Sequence, residues 1–259
     1  MRGHAGRLRR VPAELLRAAQ PVRVFLAGAT GVIGTRLVPL LVEQGHEVAG
    51  MTRSAEKAGT VRELGAEPVV CDVYDASRLT EVVAAFAPDL VMHQLTDLPD
   101  DMKRIALYMR RNNRIRTEGT DNLLAAAKRA GAERFLAQSI AFAPPGARRA
   151  VKRHERMVLD AGGVVLRYGW LYGPGAYSET GRGVPSPRIH LDAAAQRTWS
   201  CSRRLPGCSS SARPRTEGAD FSARCRGEPS GHRRSGFPPP PRPAPPLPAL
   251  RPGRGPAQA

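Results

Sequence analysis

Three glycines carry the first chemical signal in this chain. Gly28, Gly31 and Gly34 stand at the spacing G-x-x-G-x-x-G, with Thr30, Val32 and Ile33 between them. They follow the apolar run Val22–Ala27 and precede an apolar helical stretch. Each has a mechanical reason. Gly28 allows a tight turn at a strand end, Gly31 removes a Cβ that would block a diphosphate, and Gly34 lets a helix pack against the strand. A diphosphate in this bend faces unpaired backbone N–H groups and the positive end of the helix dipole. Nineteen residues after Gly34, at the end of the next apolar run, stands Arg53. An acidic residue there would hold the ribose hydroxyls of NAD; a guanidinium instead pairs with a 2′-phosphate and stacks on adenine, which favours NADP over NAD. The competing reading of Arg53 is a solvent-exposed arginine at a strand end.

These residues need a scaffold, and the pattern around them supplies one. Short apolar runs occur at Val22–Ala27, Glu47–Thr52, Glu67–Cys71, Leu90–His93, Arg134–Gln138 and Val164–Tyr168. They are mostly continuous rather than alternating, as parallel strands covered on both faces should be. Helical segments lie between them at Ile33–Gln44, Ala55–Leu64, Ser77–Phe86, Asp100–Ala130 and Ala147–Ala161, several stopped by a glycine. The expectation is an α/β fold, a Rossmann-type doubly wound parallel sheet over residues 21–180.

Charge separates the ends from the middle. The net charge of +17 is carried mainly by residues 1–20 and 181–259, and residues 21–180 are nearly balanced. Residues 181–259 hold 15 of the 24 prolines and no lysine. Such a segment buries too little apolar surface to offset the entropy of ordering it. It is expected to be disordered, and its abrupt loss of periodicity reads as out-of-frame translation replacing a substrate-binding part. The four cysteines match no zinc spacing, so no metal site is expected. No apolar run is long enough for a membrane span, and the default compartment is the cytoplasm.

In order along the chain, Gly28-Ala-Thr-Gly-Val-Ile-Gly34, Asp72-Val73, His93-Gln-Leu-Thr96, Glu118-Gly-Thr-Asp-Asn-Leu-Leu124, Gln138-Ser139-Ile140 and Leu166-Arg-Tyr-Gly-Trp-Leu-Tyr-Gly-Pro-Gly175 together resemble an extended or atypical short-chain dehydrogenase/reductase. This is the NAD(P)-dependent epimerase/dehydratase group, and the likeness covers about residues 21–180. It implies a nicotinamide cofactor and hydride transfer. It places Asp72 at the adenine amino group with the Val73 backbone beside it, the rival role for Asp72 being a turn or helix cap. It runs His93, Gln94 and Leu95 beneath the cofactor ribose, with His93 open to a purely structural role. Gly119, Thr120 and Asn122 match a helix packed under the site. The resemblance makes Ser139 the catalytic candidate that holds a substrate oxygen; related enzymes often pair through the helix near Asp100–Ala130, which leaves a homodimer open without fixing the oligomeric state.

Two departures stand out. The family's acid/base pair is Tyr-x-x-x-Lys, but the residue four before Lys152 is Arg148, and no tyrosine lies between Tyr108 and Tyr168. Tyr172 is the substitute acid to test, against a plain packing role. The substrate half dissolves after Arg188–Asp192, which predicts poor solubility through an exposed pocket floor. Three readings follow: an NAD(P)-dependent oxidoreductase or epimerase acting on an unidentified small molecule and inactive if truncated; a regulator that binds NADP without turnover; and a scaffold acting through its basic tail. The last lacks aromatics to stack on bases, so no nucleic acid and no membrane partner is expected.

Overall fold

The computed structural model describes residues 21–99, 101–203 and 221–224. The apolar runs become the parallel strands β1 (Arg23–Ala27), β2 (Glu47–Thr52), β3 (Glu67–Val70), β4 (Leu90–His93), β5 (Arg134–Ile140) and β6 (Val164–Tyr168). The intervening helices are α1 (Gly34–Glu43), α2 (Ala58–Glu63), α3 (Ala76–Phe86), α4 (Ile105–Arg114), α5 (Thr120–Arg129) and α6 (Arg148–Asp160). After β6 come β7 (Trp170–Tyr172), β8 (Arg188–His190), α7 (Leu191–Arg203) and β9 (Phe221–Arg224). The main sheet runs β3-β2-β1-β4-β5-β6-β9, and β7 pairs with β8 in a small second sheet. All pairs in the main sheet are parallel except β6 with β9. This is the expected Rossmann-type doubly wound fold, with the order reversing between β1 and β4.

Alternate residues of β1 feed two cores. Val24 and Leu26 pack on the α1 side with Leu37, Leu41, Leu191 and Ala194. Phe25 and Ala27 pack on the opposite side with Leu79, Val83, Ile115 and Leu123. The period of two within each strand thus builds both layers from one run of sequence.

Two expectations are corrected. The segment expected as one helix over Asp100–Ala130 is a single turn at Met102–Arg104, then α4, a π-helical turn at Ile115–Gly119, then α5. At that turn Gly119 lies under Val73, where an added Cβ would sit 3.4 Å from the valine side chain. Asp100 lies outside the described residues. The second correction concerns the tail. Order expected to stop at residue 180 continues through α7, which packs on α1. Its buried stripe is Leu191, Ala194, Ala195, Thr198 and Ser202, a helical period. Composition averaged over residues 181–259 hides this helix, because its apolar side is largely alanine. Burying Leu191 in full is worth about 2 kcal/mol. The expected disorder at residues 204–220 and 225–259, and the basic extension at 1–20, lie outside the described residues.

Candidate dinucleotide site and its polar surroundings

The glycine bend sits where β1 meets α1. Gly28 has φ +98°, and a Cβ there would stand 2.8 Å from the Gln94 carbonyl oxygen. A Cβ on Gly34 would run into the Gly28 carbonyl, so the helix start lies directly on the strand end. Gly31 and Val32 are exposed above this bend. The N-terminus of α1 carries no side-chain cap and no acidic residue in its first turn. The Thr35 and Arg36 N–H groups bond back to the Gly31 and Ile33 carbonyls, whereas those of Val32, Ile33 and Gly34 have no partner among the described residues; these can meet an anion, and the cradle fits a dinucleotide diphosphate. Thr30 lies at the rim, its Oγ1 3.4 Å from Thr52 Oγ1. Ile33 is buried beneath the bend.

Arg53 projects from the end of β2 with its side chain 59% exposed, and its Nη2 reaches Asp97 Oδ1 at 3.4 Å. Arg111 from α4 donates Nε to the other oxygen of the same carboxylate at 3.0 Å. Asp97 is buried, so two guanidinium groups share one carboxylate and leave a net positive charge at this edge. Asp72 is exposed, and its Oδ1 accepts the Tyr74 N–H at 2.9 Å, a turn within its own backbone. Val73 is buried, and its carbonyl accepts from the Asn122 amide at 2.9 Å.

Beyond β4 the polar groups close on one another. Leu95 N–H donates to His93 Nδ1 at 3.2 Å, so Nε2 carries the proton and donates to Thr120 Oγ1 at 3.1 Å. The Thr120 hydroxyl then donates to His154 Nδ1 at 2.8 Å, and His154 Nε2–H donates to the Gln138 carbonyl at 2.8 Å. The Gln138 amide returns to the Leu95 carbonyl at 3.0 Å. The circuit from Leu95 to Leu95 requires both rings neutral. Burial pushes His154 down to about 4 and His93 well below the usual histidine range. Both ring nitrogens of His93 are thus occupied within this circuit. Gln94 is buried on the other side of the strand, where its Oε1 lies 3.3 Å from the Tyr168 hydroxyl.

Ser139 is brought to the end of β5, level with Arg167 on β6. Its hydroxyl is buried and donates to Glu155 Oε1 at 2.7 Å, while Arg167 grips both carboxylate oxygens. The serine proton is committed to a carboxylate, and only lone pairs remain for a ligand. Tyr172 is not brought to Ser139: its ring packs on His190 at 5.3 Å between centroids and lies over Gly181. Tyr168 is fully buried, bonded at 2.6 Å to Thr198 of α7, and burial pushes its hydroxyl up to about 12. The sheet-facing side of α6 carries Ala147, Ala150, Val151, His154, Glu155 and Val158, while Lys152 faces solvent. No phenol or amine stands on that side.

The profile of the NAD dependent epimerase/dehydratase family matches residues 24–157. This chain belongs to that family. A relative, the 3-diazoavenalumate denitrifying reductase of a Streptomyces species, is 40% identical over 186 residues, covering 60% of this chain and 58% of the relative. The chain thus spans less than two thirds of that relative. In fold it is similar to the UDP-glucose 4-epimerase of Thermus thermophilus solved with NAD, at TM-score 0.59 and 20% identity, over 71% of this chain and 75% of that one. It is also similar to a short chain dehydrogenase of Burkholderia cenocepacia solved with NADP, at TM-score 0.55 and 18% identity, over 73% and 87%.

Asp97, Arg111, Glu155, Arg167 and the π turn were not singled out from the sequence. A signal existed for two of the buried polar groups. His154 and Glu155 fall on the same helical stripe as Ala147, Ala150, Val151 and Val158, which marks them as inward-facing.

Proposed function

We propose that this chain is an NADP(H)-preferring reductase whose substrate accepts hydride without a proton from a tyrosine. The observation that carries this reading is the sheet-facing side of α6, with Ala147 and Val151 on it and Ser139, Glu155 and His154 already engaged. Gly28, Gly31, Gly34 and the uncapped start of α1 would hold the dinucleotide diphosphate. Arg53, with Arg111 sharing its carboxylate, would meet a 2′-phosphate. A bound reduced nicotinamide supplies hydride.

Reducing a ketone also requires a proton, and none of the groups described above is poised to give one. A cationic electrophile, such as an arenediazonium or an iminium ion, takes hydride alone. With a diazonium the hydride joins the ring carbon, the C–N bond breaks, and dinitrogen departs with its electron pair. The name of the Streptomyces relative, a denitrifying reductase of a diazo compound, supports this class.

The test is NADPH oxidation by the purified chain against benzenediazonium, a cyclic iminium and a ketone panel. Turnover with the cations and not the ketones is the expected result. Efficient ketone reduction would overturn the substrate class. Tight NADPH binding with no oxidation by any compound favours the second reading, a non-catalytic binder, which the committed Ser139 proton and the locked Tyr168 hydroxyl also support.

A further inference from the structure

Three side chains of fixed charge are buried among the described residues: Asp97, Glu155 and Arg116. Asp97 is held by Arg53 and Arg111, and Glu155 by Arg167 and Ser139. Arg116 is different. It is 9% exposed and sits in the π turn between α4 and α5. Its guanidinium makes no hydrogen bond or ion pair with any described residue. Burial alone lowers its proton affinity, with no carboxylate acting against that. A guanidinium does not shed its proton in a protein, so a fold that buries one calls for an anion. π turns are rare and concentrate at functional sites.

The placement says which anion. Arg116 stands one turn before Thr120, whose hydroxyl joins His93 at the end of β4 to His154 of α6. His93 is followed by Gln94, whose carbonyl lies against the Gly28 turn, and His154 is followed by Glu155, which holds Ser139. Arg116 therefore lies among the elements that carry the dinucleotide bend and the strand-five serine. The dinucleotide diphosphate is not its partner. That cradle opens at the start of α1, which packs on the Val24 and Leu26 side of the sheet, while Ile115, next to Arg116 in the π turn, packs on the Phe25 and Ala27 side. A 2′-phosphate has Arg53. The remaining anion is one on the substrate.

We propose that Arg116 binds the carboxylate of a small substrate and makes the site select anionic over neutral members of a compound series. This rests on the reductase reading above. The carboxylate would take two parallel N–H donors from the guanidinium, a geometry a lysine cannot copy in full.

The test is calorimetric titration of the full chain, saturated with NADP+, with benzoate and with its neutral analogue benzamide. Wild type is expected to bind benzoate at least tenfold tighter than benzamide. Arg116→Met should erase that difference, and Arg116→Lys should restore part of it. The ligand-free Arg116→Met protein should also melt about 3 °C higher, because an unpaired buried charge has been removed. Equal wild-type affinities would overturn the proposal, as would unchanged selectivity in Arg116→Met or a lower melting temperature with selectivity retained. NADP+ affinity measured in the same titrations keeps the two ideas apart: its absence in wild type strikes the reductase reading, whereas its retention in Arg116→Met alongside lost selectivity supports the role of Arg116.

Discussion

The glycine bend and the polar circuit lie on neighbouring strand ends and are built on opposite principles. The bend is made of backbone, with Gly28 and Gly34 packed so closely that side chains are excluded and Gly31 left open above them. Three of its N–H groups, those of Val32, Ile33 and Gly34, have no partner among the described residues and are left for a ligand. The circuit from Leu95 through His93, Thr120, His154 and Gln138 is made largely of side chains, and every donor in it is consumed internally. Unsatisfied groups mark a place that binds, and satisfied ones a place that holds shape. By that rule the members of the circuit are scaffold, while Arg116 and the buried Gln94 Nε2 beside the bend are left open among the described residues.

The contrast can be broken at four places. Gly34→Ala should do most, because the new methyl group meets the Gly28 backbone rather than a flexible side chain. A loss of about 3 kcal/mol or more in urea unfolding is expected, with dinucleotide binding abolished. Retained binding would mean the bend has slack the geometry denies. Next is Glu155→Ala, which leaves Arg167 and Ser139 without their acceptor. It should cost about 3 kcal/mol, since a partly buried guanidinium loses its partner. Arg167→Met added to Glu155→Ala should recover much of that loss, and simple additivity of the two changes would argue against the pairing.

The third effect is graded. His154 titrates near 4 in the fold, below its ordinary 6.5, so the unfolded chain binds protons that the fold refuses. Stability is full above about pH 6.5 and falls toward pH 4, by up to about 1.4 kcal/mol per pH unit for each such histidine. Denaturation midpoints between pH 7 and 5 should show this slope, and His154→Gln should flatten it; a flat wild-type profile would remove the neutral circuit. The smallest effect is Arg53→Ala, expected to weaken NADP binding about tenfold and NAD binding little. Equal losses for both dinucleotides would end the 2′-phosphate role.

The bend and the six parallel strands were legible because each is encoded by neighbours in sequence. Gly28, Gly31 and Gly34 act through local backbone geometry, and the strands announce themselves as continuous apolar runs. Helix α7 was missed because its buried side is alanine, which a count of large apolar residues does not register. The place of Ser139 at the end of β5 was legible, but its hydrogen-bonded state was not. That depends on Glu155, sixteen residues on, and on Arg167, the residue level with Ser139 on the next strand.

What the sequence alone determined is the doubly wound sheet and the cradle at its first turn, since period, glycine spacing and turn chemistry are local properties. Only the tertiary structure decided which charges are paired. Asp97 gathers Arg53 from the end of β2 and Arg111 from α4, Glu155 gathers Arg167, and Arg116 is left without an acceptor among the described residues. Pairing depends on which side chains the layers bring within about 4 Å of each other in a medium that screens poorly, and linear order does not specify that.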